Sequence, residues 1–564
     1  MEALDWLVIG VFFLALIGII VWVVRQKQND SADYFLGGRD ATWLAIGASI
    51  FASNIGSEHL IGLAGAGASS GMAMAHWEIQ GWMILILGWV FVPFYTRSMV
   101  YTMPEFLERR YNPQSCTILS VISLVSYVLT KVAVTVYAGG LVFQQVFGIK
   151  ELWGIDFFWI AAIGLVVLTA LYTIFGGMKS VLYTSVLQTP ILLLGSLIIL
   201  VLGFKELGGW DEMMRVCGAV TVNDYGDTMT NLIRSNDDAN FPWLGALIGS
   251  AIIGFWYWCT DQFIVQRVLS GKNEMEARRG TIFGAYLKLL PVFLFLIPGM
   301  IAFALHQKYI GAGGEGFLPM LANGTANADA AFPTLVAKLL PAGVKGLVVC
   351  GILAALMSSL ASLFNSSAML FTIDFYKRFK PETPEKKLVG IGQIATIVIV
   401  VLGILWIPIM RSVGDVLYTY LQDVQSVLAP GIAAAFLLGI CWKRTSAQGG
   451  MWGLISGMVI GLTRLGAKVY YSNAGEVADS TFKYLFYDMN WLFFCGWMFL
   501  FCIIVVIVVS LATEAPTAEK IQGLVFGTAT KEQKAATRAS WNHWDIIHTV
   551  IILAITAAFY WYFW

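Results

Sequence analysis

Apolar runs of roughly 20 or more residues recur along the whole chain, each long enough to cross about 30 Å of hydrocarbon. About fourteen can be placed, near 5–25, 42–68, 73–98, 117–147, 153–174, 179–203, 242–266, 279–306, 344–375, 388–410, 417–441, 448–468, 489–513 and 545–563. The pattern predicts an all-α integral membrane protein. Basic residues gather in every second connection: Arg25, Lys27 and Arg39, then Arg97, Arg109 and Arg110, then Lys179, then Arg267, Lys272, Arg278 and Arg279. The alternation continues with Lys377, Arg378, Lys380, Lys386 and Lys387, then Lys443 and Arg444, then Lys531, Lys534 and Arg538. The connections between are poorer in bases, and the longest carries Asp211, Glu212, Asp224, Asp227, Asp237 and Asp238. Cytoplasmic loops are the basic ones, so both termini are expected outside the cell, in a plasma membrane or a bacterial inner membrane. Tyr560, Trp561, Tyr562 and Trp564 end the last run as an interfacial anchor.

Two of these runs are polar in the wrong places. Ile50-Phe51-Ala52-Ser53-Asn54-Ile55-Gly56-Ser57-Glu58-His59 puts Ser, Asn, Gly, Glu and His at membrane depth, where lipid satisfies none of them. A helix that breaks midway, turning carbonyls and polar side chains toward a bound ion and a polar solute, accounts for the stretch. That implies a transporter. Gly254-Phe255-Trp256-Tyr257-Trp258-Cys259-Thr260-Asp261-Gln262 is similarly odd and lies about five runs later. Two interrupted segments at matching places predict two inverted five-helix repeats. The expected division is an extra span and loop over 1–40, repeats over 41–203 and 242–445, an outer loop over 204–241, and about three further spans over 446–564.

Composition agrees and narrows the choice. The 564 residues are 58% hydrophobic and 12% charged, with mean hydropathy +0.74, against about 25% charge in soluble proteins. Zero formal net charge argues against nucleic acid as a partner. Seven scattered cysteines without a CxxC give no disulfide framework and no metal or redox centre. The acidic start, Met1 to Trp6, lacks the basic region of a signal peptide, so the first run is expected to be retained. No soluble domain is expected; the loops 204–241, 307–343 and 514–544 read as caps or linkers. A channel would show a pore-lining polar stripe, a sensor a soluble signalling domain, and an enzyme a nucleophile or metal cluster. None is evident.

Candidate ligands follow. Ser358 and Ser362 share a helix face four residues apart, with Ser359 beside them. Small residues also serve close helix packing, and that reading stands beside a cation site. Carbonyls freed at Ala52 and Ile55, joined to serine hydroxyls, form a neutral oxygen cage suited to a monovalent ion such as sodium. Asn54, His59, Glu78, Tyr257, Trp258, Lys288 and Gln422 supply donors, acceptors and aromatic faces at membrane depth. A polyhydroxylated solute uses that combination. Other readings remain open: a structural Glu78–Lys288 ion pair, a proton relay at His59, a core role for Trp258. Asp261 is expected to cap its helix or pair with Arg267, and Lys131 has no evident partner.

Phe51-Ala52-Ser53-Asn54-Ile55-Gly56-Ser57, Tyr257-Trp258-Cys259-Thr260-Asp261-Gln262, Leu356-Met357-Ser358-Ser359-Leu360, and Phe436-Leu437-Leu438-Gly439 leading to Trp442-Lys443-Arg444 resemble, in order, the sodium/glucose cotransporter family of solute:sodium symporters. The likeness is weakest after about residue 470. It implies inward sugar transport driven by sodium, with sodium held by backbone at Ala52, Ile55 and Ala355 and by the hydroxyls of Ser358 and Ser359. It implies sugar contacts at Asn54, His59, Glu78, Tyr257, Lys288 and Gln422 with Trp258 close by, an inner gate at Tyr257, and outer gates at Leu63, Trp77 and Tyr418. Sodium is the coupling ion, and no organic cofactor is implied. Many members carry Asp where this chain reads Ser185, and Ala361 offers no hydroxyl, so one sodium per sugar is expected. Gly254 stands where some relatives carry a polar residue. An inositol, a sialic acid or another polar solute is the alternative substrate.

Overall fold

The computed structural model describes residues 1–564 except 27–29, 57, 322–323, 411–416 and 474–477. Among the described residues eleven helices are long and apolar enough to cross a membrane, and the only strands are the two-residue pair Glu151–Leu152 and Ile155–Asp156. That hairpin turns through Trp153 and Gly154, so the fifth apolar run becomes helical at Phe157.

Phe157–Leu207 holds two runs, not one. Its 51 residues would reach about 77 Å if straight, more than twice the hydrocarbon thickness. Gly177, at φ 53° and ψ −149°, interrupts it. The Ser180 hydroxyl then donates to the Tyr172 carbonyl at 3.1 Å; eight residues of continuous helix would hold them about 12 Å apart. The chain therefore reverses there. A Cβ on Gly177 would stand 2.4 Å from the Tyr34 carbonyl oxygen, so the reversal and the close approach both require glycine.

Both expected breaks are present. Trp43–Asn54 ends at Ile55 (φ −80°, ψ 104°), and past Gly56 the chain resumes as a π-helical turn, Glu58–Leu63, and a short helix, Ala64–Ser70. Trp243–Phe255 runs into a π-helical turn, Trp256–Thr260, then an extended Asp261 (φ −78°, ψ 127°) and the helix Gln262–Leu269. Two further interruptions were not expected. Ile79 and Gln80 leave helical geometry (both ψ 25°) between Ala75–Glu78 and Gly81–Ile86. Glu274–Lys288 stops short of Pro291, which lacks an N–H and clashes with the preceding turn.

Val344–Met369 is buried nearly all round; its span is 89% buried, against 22% for Ala3–Val24 and His543–Tyr562. The first is the centre of the bundle and the others its lipid-facing rim. Asp5 accepts from the N–H groups of Gly343 and Gly346 at 2.7 and 2.8 Å, and Leu232 N–H donates to the Phe563 carbonyl at 2.9 Å. Both chain ends thus lie with loops 204–241 and 307–343. Arg39 reaches the Met99 and Val100 carbonyls, and Ala41 pairs with Ser270, gathering the basic loops elsewhere.

Candidate functional site

The first break is built from backbone. A helix leaves its last four carbonyls without intrahelical partners, and its dipole is negative at that end. Here those carbonyls meet the serines of Val344–Met369: Ser359 Oγ donates to the carbonyls of Ser53 at 2.9 Å and Ile55 at 3.1 Å. Ser53 Oγ and Ser362 Oγ lie 2.6 Å apart, and Ser358 Oγ is 3.3 Å from Ser185 Oγ. Ala52 and Ala355 are buried on the same two packed helices. Gly56 permits the break: a Cβ there would sit 2.4 Å from Glu58 Oε2, so the Glu58 carboxylate folds against bare backbone.

Beside this break lies a small cavity of about 50 Å³, well under the usual volume of small-molecule pockets. All seven residues expected to contact solute line it: Asn54, His59, Glu78, Tyr257, Trp258, Lys288 and Gln422. Lys288, the last residue of its helix, places Nζ 2.6 Å from Glu78 Oε2 and 3.1 Å from Asn54 Oδ1. Asn54 Nδ2 donates onward to the Tyr257 hydroxyl at 3.1 Å. His59 Nε2 lies 3.3 Å from the same Glu78 oxygen, and Lys288 Nζ lies over the Trp258 ring at 5.3 Å. The Glu78–Lys288 ion pair considered from sequence is therefore present, and it is part of the cavity wall. Gln422 Oε1 accepts no hydrogen bond among the described residues.

Of the gate positions, Trp77 lines the cavity and stacks on Trp491 at 5.5 Å, with Phe241 beside it, while Leu63 is fully buried. Tyr418 has its side chain outside the described residues. Glu58, read from sequence as part of the polar stretch but not as a solute contact, also lines the cavity, as do Gln80, Thr135 and Gln425, which sequence reasoning missed. Gln80 occupies the space over Gly254, whose Cβ would stand 2.4 Å from Gln80 Oε1. No sequence signal marked that pairing; the glycine alone hinted at a close approach.

One expected partnership is corrected. Asp261 does cap Gln262–Leu269, accepting from Phe263 N–H at 3.2 Å, but its ion-pair partner is Lys131 at 2.7 Å, not Arg267. Arg267 is six residues on, about 9 Å along the helix and on another face. Its buried guanidinium lies 5.2 Å from the Phe263 ring and donates no hydrogen bond among the described residues. Lys131 also lines the cavity.

The model of the sodium:solute symporter family matches residues 34–457. The mouse (Mus musculus) sodium/myo-inositol cotransporter 2 is 37% identical over 542 residues, covering 94% of this chain and 80% of that protein. The zebrafish (Danio rerio) sodium/glucose cotransporter 4 is 36% identical over 537 residues, covering 92% and 80%. A solved structure of a Na+-coupled sialic acid symporter, substrate-bound and outward-open, superposes with a TM-score of 0.72 at 22% identity over 92% of this chain and 99% of that one. At that identity it shows a shared transporter fold. The chain belongs to the sodium:solute symporter family, multi-pass membrane transporters rather than enzymes.

Proposed function

We propose that this symporter imports one neutral, polyhydroxylated ring solute, a monosaccharide of the glucose or galactose type, with one sodium ion across the plasma membrane. One observation carries the reading. Side chains from separate helical segments, alternating donors and acceptors around aromatic faces, converge on a single cavity beside the helix break whose carbonyls face Ser359.

Sodium is assigned to the carbonyls of Ala52, Ile55 and Ala355 and the hydroxyls of Ser358 and Ser359. All are uncharged oxygens, and the negative end of Trp43–Asn54 adds attraction without a carboxylate. The Ser359 hydroxyl, now donating to the Ile55 carbonyl, would turn its lone pairs to the ion. Bound sodium then ties the first broken helix to the serine helix. A shift of about 1–3 kcal/mol in the conformational equilibrium is enough to couple ion to solute. Ser185 supports a single ion: its hydroxyl already donates to the Val181 carbonyl at 2.6 Å and brings no negative charge.

Asn54, His59, Glu78, Tyr257, Trp258, Lys288 and Gln422 would hold the solute, Trp258 offering a ring face and Gln422 an unused acceptor. Glu78, compensated by Lys288, disfavours an anionic sugar acid, because a second buried carboxylate would lack a counter-charge. Leu63, Trp77 and Tyr418 are assigned to the outer gate and Tyr257 to the inner. The repeats are assigned to 41–203 and 242–445, with the acidic loops and both termini outside. A cyclitol is the second reading, favoured by the relative named for myo-inositol. Uptake of labelled glucose, galactose and inositol into proteoliposomes separates the two. Sodium-dependent glucose or galactose uptake with one charge per solute is expected; two charges per solute would remove the single-ion reading.

A further inference from the structure

Lys131 is an ammonium at membrane depth that the transport reading leaves unused. A π-helical turn, Tyr127–Val132, carries it, and its surroundings are built rather than incidental. Nζ donates to Asp261 Oδ2 at 2.7 Å and lies 4.8 Å from the ring centres of Tyr257 and Phe263, 5.1 Å from Tyr127 and 5.4 Å from Trp256. Four ring faces and one carboxylate make a cage for a monovalent cation. The carboxylate is further held by the Tyr127 hydroxyl and caps the helix beyond the second break.

The location follows a symmetry. In two repeats of five helices, the runs 42–68 and 117–147 correspond to 242–266 and 344–375. The assigned sodium lies between the broken helix of the first repeat and the third helix of the second, where Ile55 meets Ser359. Exchanging the repeats gives the broken helix of the second and the third helix of the first. Asp261 and Lys131 meet there. We infer that the Lys131 ammonium is a tethered cation in the pseudo-symmetric counterpart of the sodium site, where with Asp261 it fixes the second broken helix, and the gate residue Tyr257, to the third helix. One break is then gripped and released by a travelling ion, while its twin is gripped by an ion that never leaves. Lys131 is a positioning residue for transport, and this rests on the sodium and gate assignments above.

The test uses the full chain in proteoliposomes, reading solute uptake and solute-independent sodium leak together. Lys131→Ala is expected to cut sodium-driven uptake about tenfold, within the usual range of coupling energies. Methylammonium is expected to restore most of it by entering the emptied cage. Lys131→Met, whose side chain fills that space, is expected not to respond to the amine. The paired variant Lys131→Met with Asp261→Asn removes both charges of the pair together, so neither is stranded by loss of the other, and it reports on gating; its sodium leak is expected to rise about tenfold. If the amine does nothing for Lys131→Ala, or if the paired variant keeps wild-type uptake and leak, the pair is an ordinary packing contact and the inference is overturned. Ser359→Ala measured alongside tests the sodium assignment by itself: unchanged sodium dependence there would defeat that assignment whatever Lys131 does.

Discussion

The two broken helices solve the same problem in opposite ways. Past Asn54 the chain leaves backbone carbonyls bare and meets them with the neutral hydroxyl of Ser359. At Asp261 the side chain caps the resuming helix, and Lys131 supplies a fixed positive charge. A break in hydrocarbon has to satisfy its freed backbone groups from within the protein. Weak, neutral partners leave the first break suited to a ligand that comes and goes. A buried ion pair with its own hydrogen bonds commits the second to one arrangement. On the proposed sodium assignment, one break would answer to the ion while its twin stays fixed.

The comparison breaks most visibly at the fixed end. Asp261→Ala strands the Lys131 ammonium among four aromatic rings with no carboxylate, and losing one partner of a buried pair costs about 3–5 kcal/mol. A large drop in detergent melting temperature and in membrane yield is expected. A melting temperature within a degree or so of wild type would mean that water reaches the pair, and the contrast between the breaks would lose its basis. Ser359→Ala acts at the other end and should behave differently. It removes a hydroxyl shared by two carbonyls, about 1–3 kcal/mol of hydrogen bonding. The sodium concentration for half-maximal uptake is expected to rise about tenfold, with a smaller fall in melting temperature than Asp261→Ala gives. Equal damage to folding and to sodium dependence would make Ser359 a packing residue.

The first break was legible because Asn54, Glu58 and His59 are polar residues that hydrocarbon does not accept, packed into ten positions of an apolar run. The same logic picked out Glu78, Lys288 and Gln422, and it needed no knowledge of who touches whom. Lys131 failed that logic. Its partner lies 130 residues away, and the base nearest Asp261 in sequence, Arg267, points elsewhere. Sequence distance says nothing about contacts between helices. The π-helical turns were also invisible, although those at Glu58–Leu63, Tyr127–Val132 and Trp256–Thr260 carry His59, Lys131, Tyr257 and Trp258 to the cavity. An inserted residue re-aims the side chains around it without altering the hydrophobic period enough to read. The interruption at Ile79 and Gln80 was hidden because neither residue type breaks a helix by itself.

A smaller effect sharpens the separation of ion from solute. Gln422 lines the cavity with an unused acceptor and belongs to neither break. Gln422→Ala removes one neutral hydrogen bond to solute, about 0.5–1.5 kcal/mol. The solute concentration for half-maximal uptake should rise about threefold to tenfold, with sodium dependence unchanged. A matching shift in sodium dependence would show that the solute and ion sites share this residue.

The smallest expected effect lies at the outer half of the first broken helix. Asp329 sits in the turn Ala328–Ala330, outside the spanning segments, with its Cα 3.2 Å from where a Cβ on Gly65 would be. Burial raises its carboxyl from 3.8 to about 6, and Oδ1 accepts no hydrogen bond among the described residues. The folded chain therefore holds this proton more tightly than the unfolded one, so stability falls as pH rises from about 4 through about 6 and levels off above. Acidifying from about pH 7.5 to 5 should strengthen the contact between this turn and Ala64–Ser70, by about 1 kcal/mol once the partial exposure of the side chain is discounted. Asp329→Asn should abolish that increment in the melting temperature and leave the rest of the pH profile intact. The second broken helix takes its hold from a paired charge, whereas the outer half of the first would be held by a carboxyl that packs best when neutral. If acidification raises the melting temperature of Asp329→Asn as much as that of the wild type, the proton acts elsewhere and the outer half is held by shape alone.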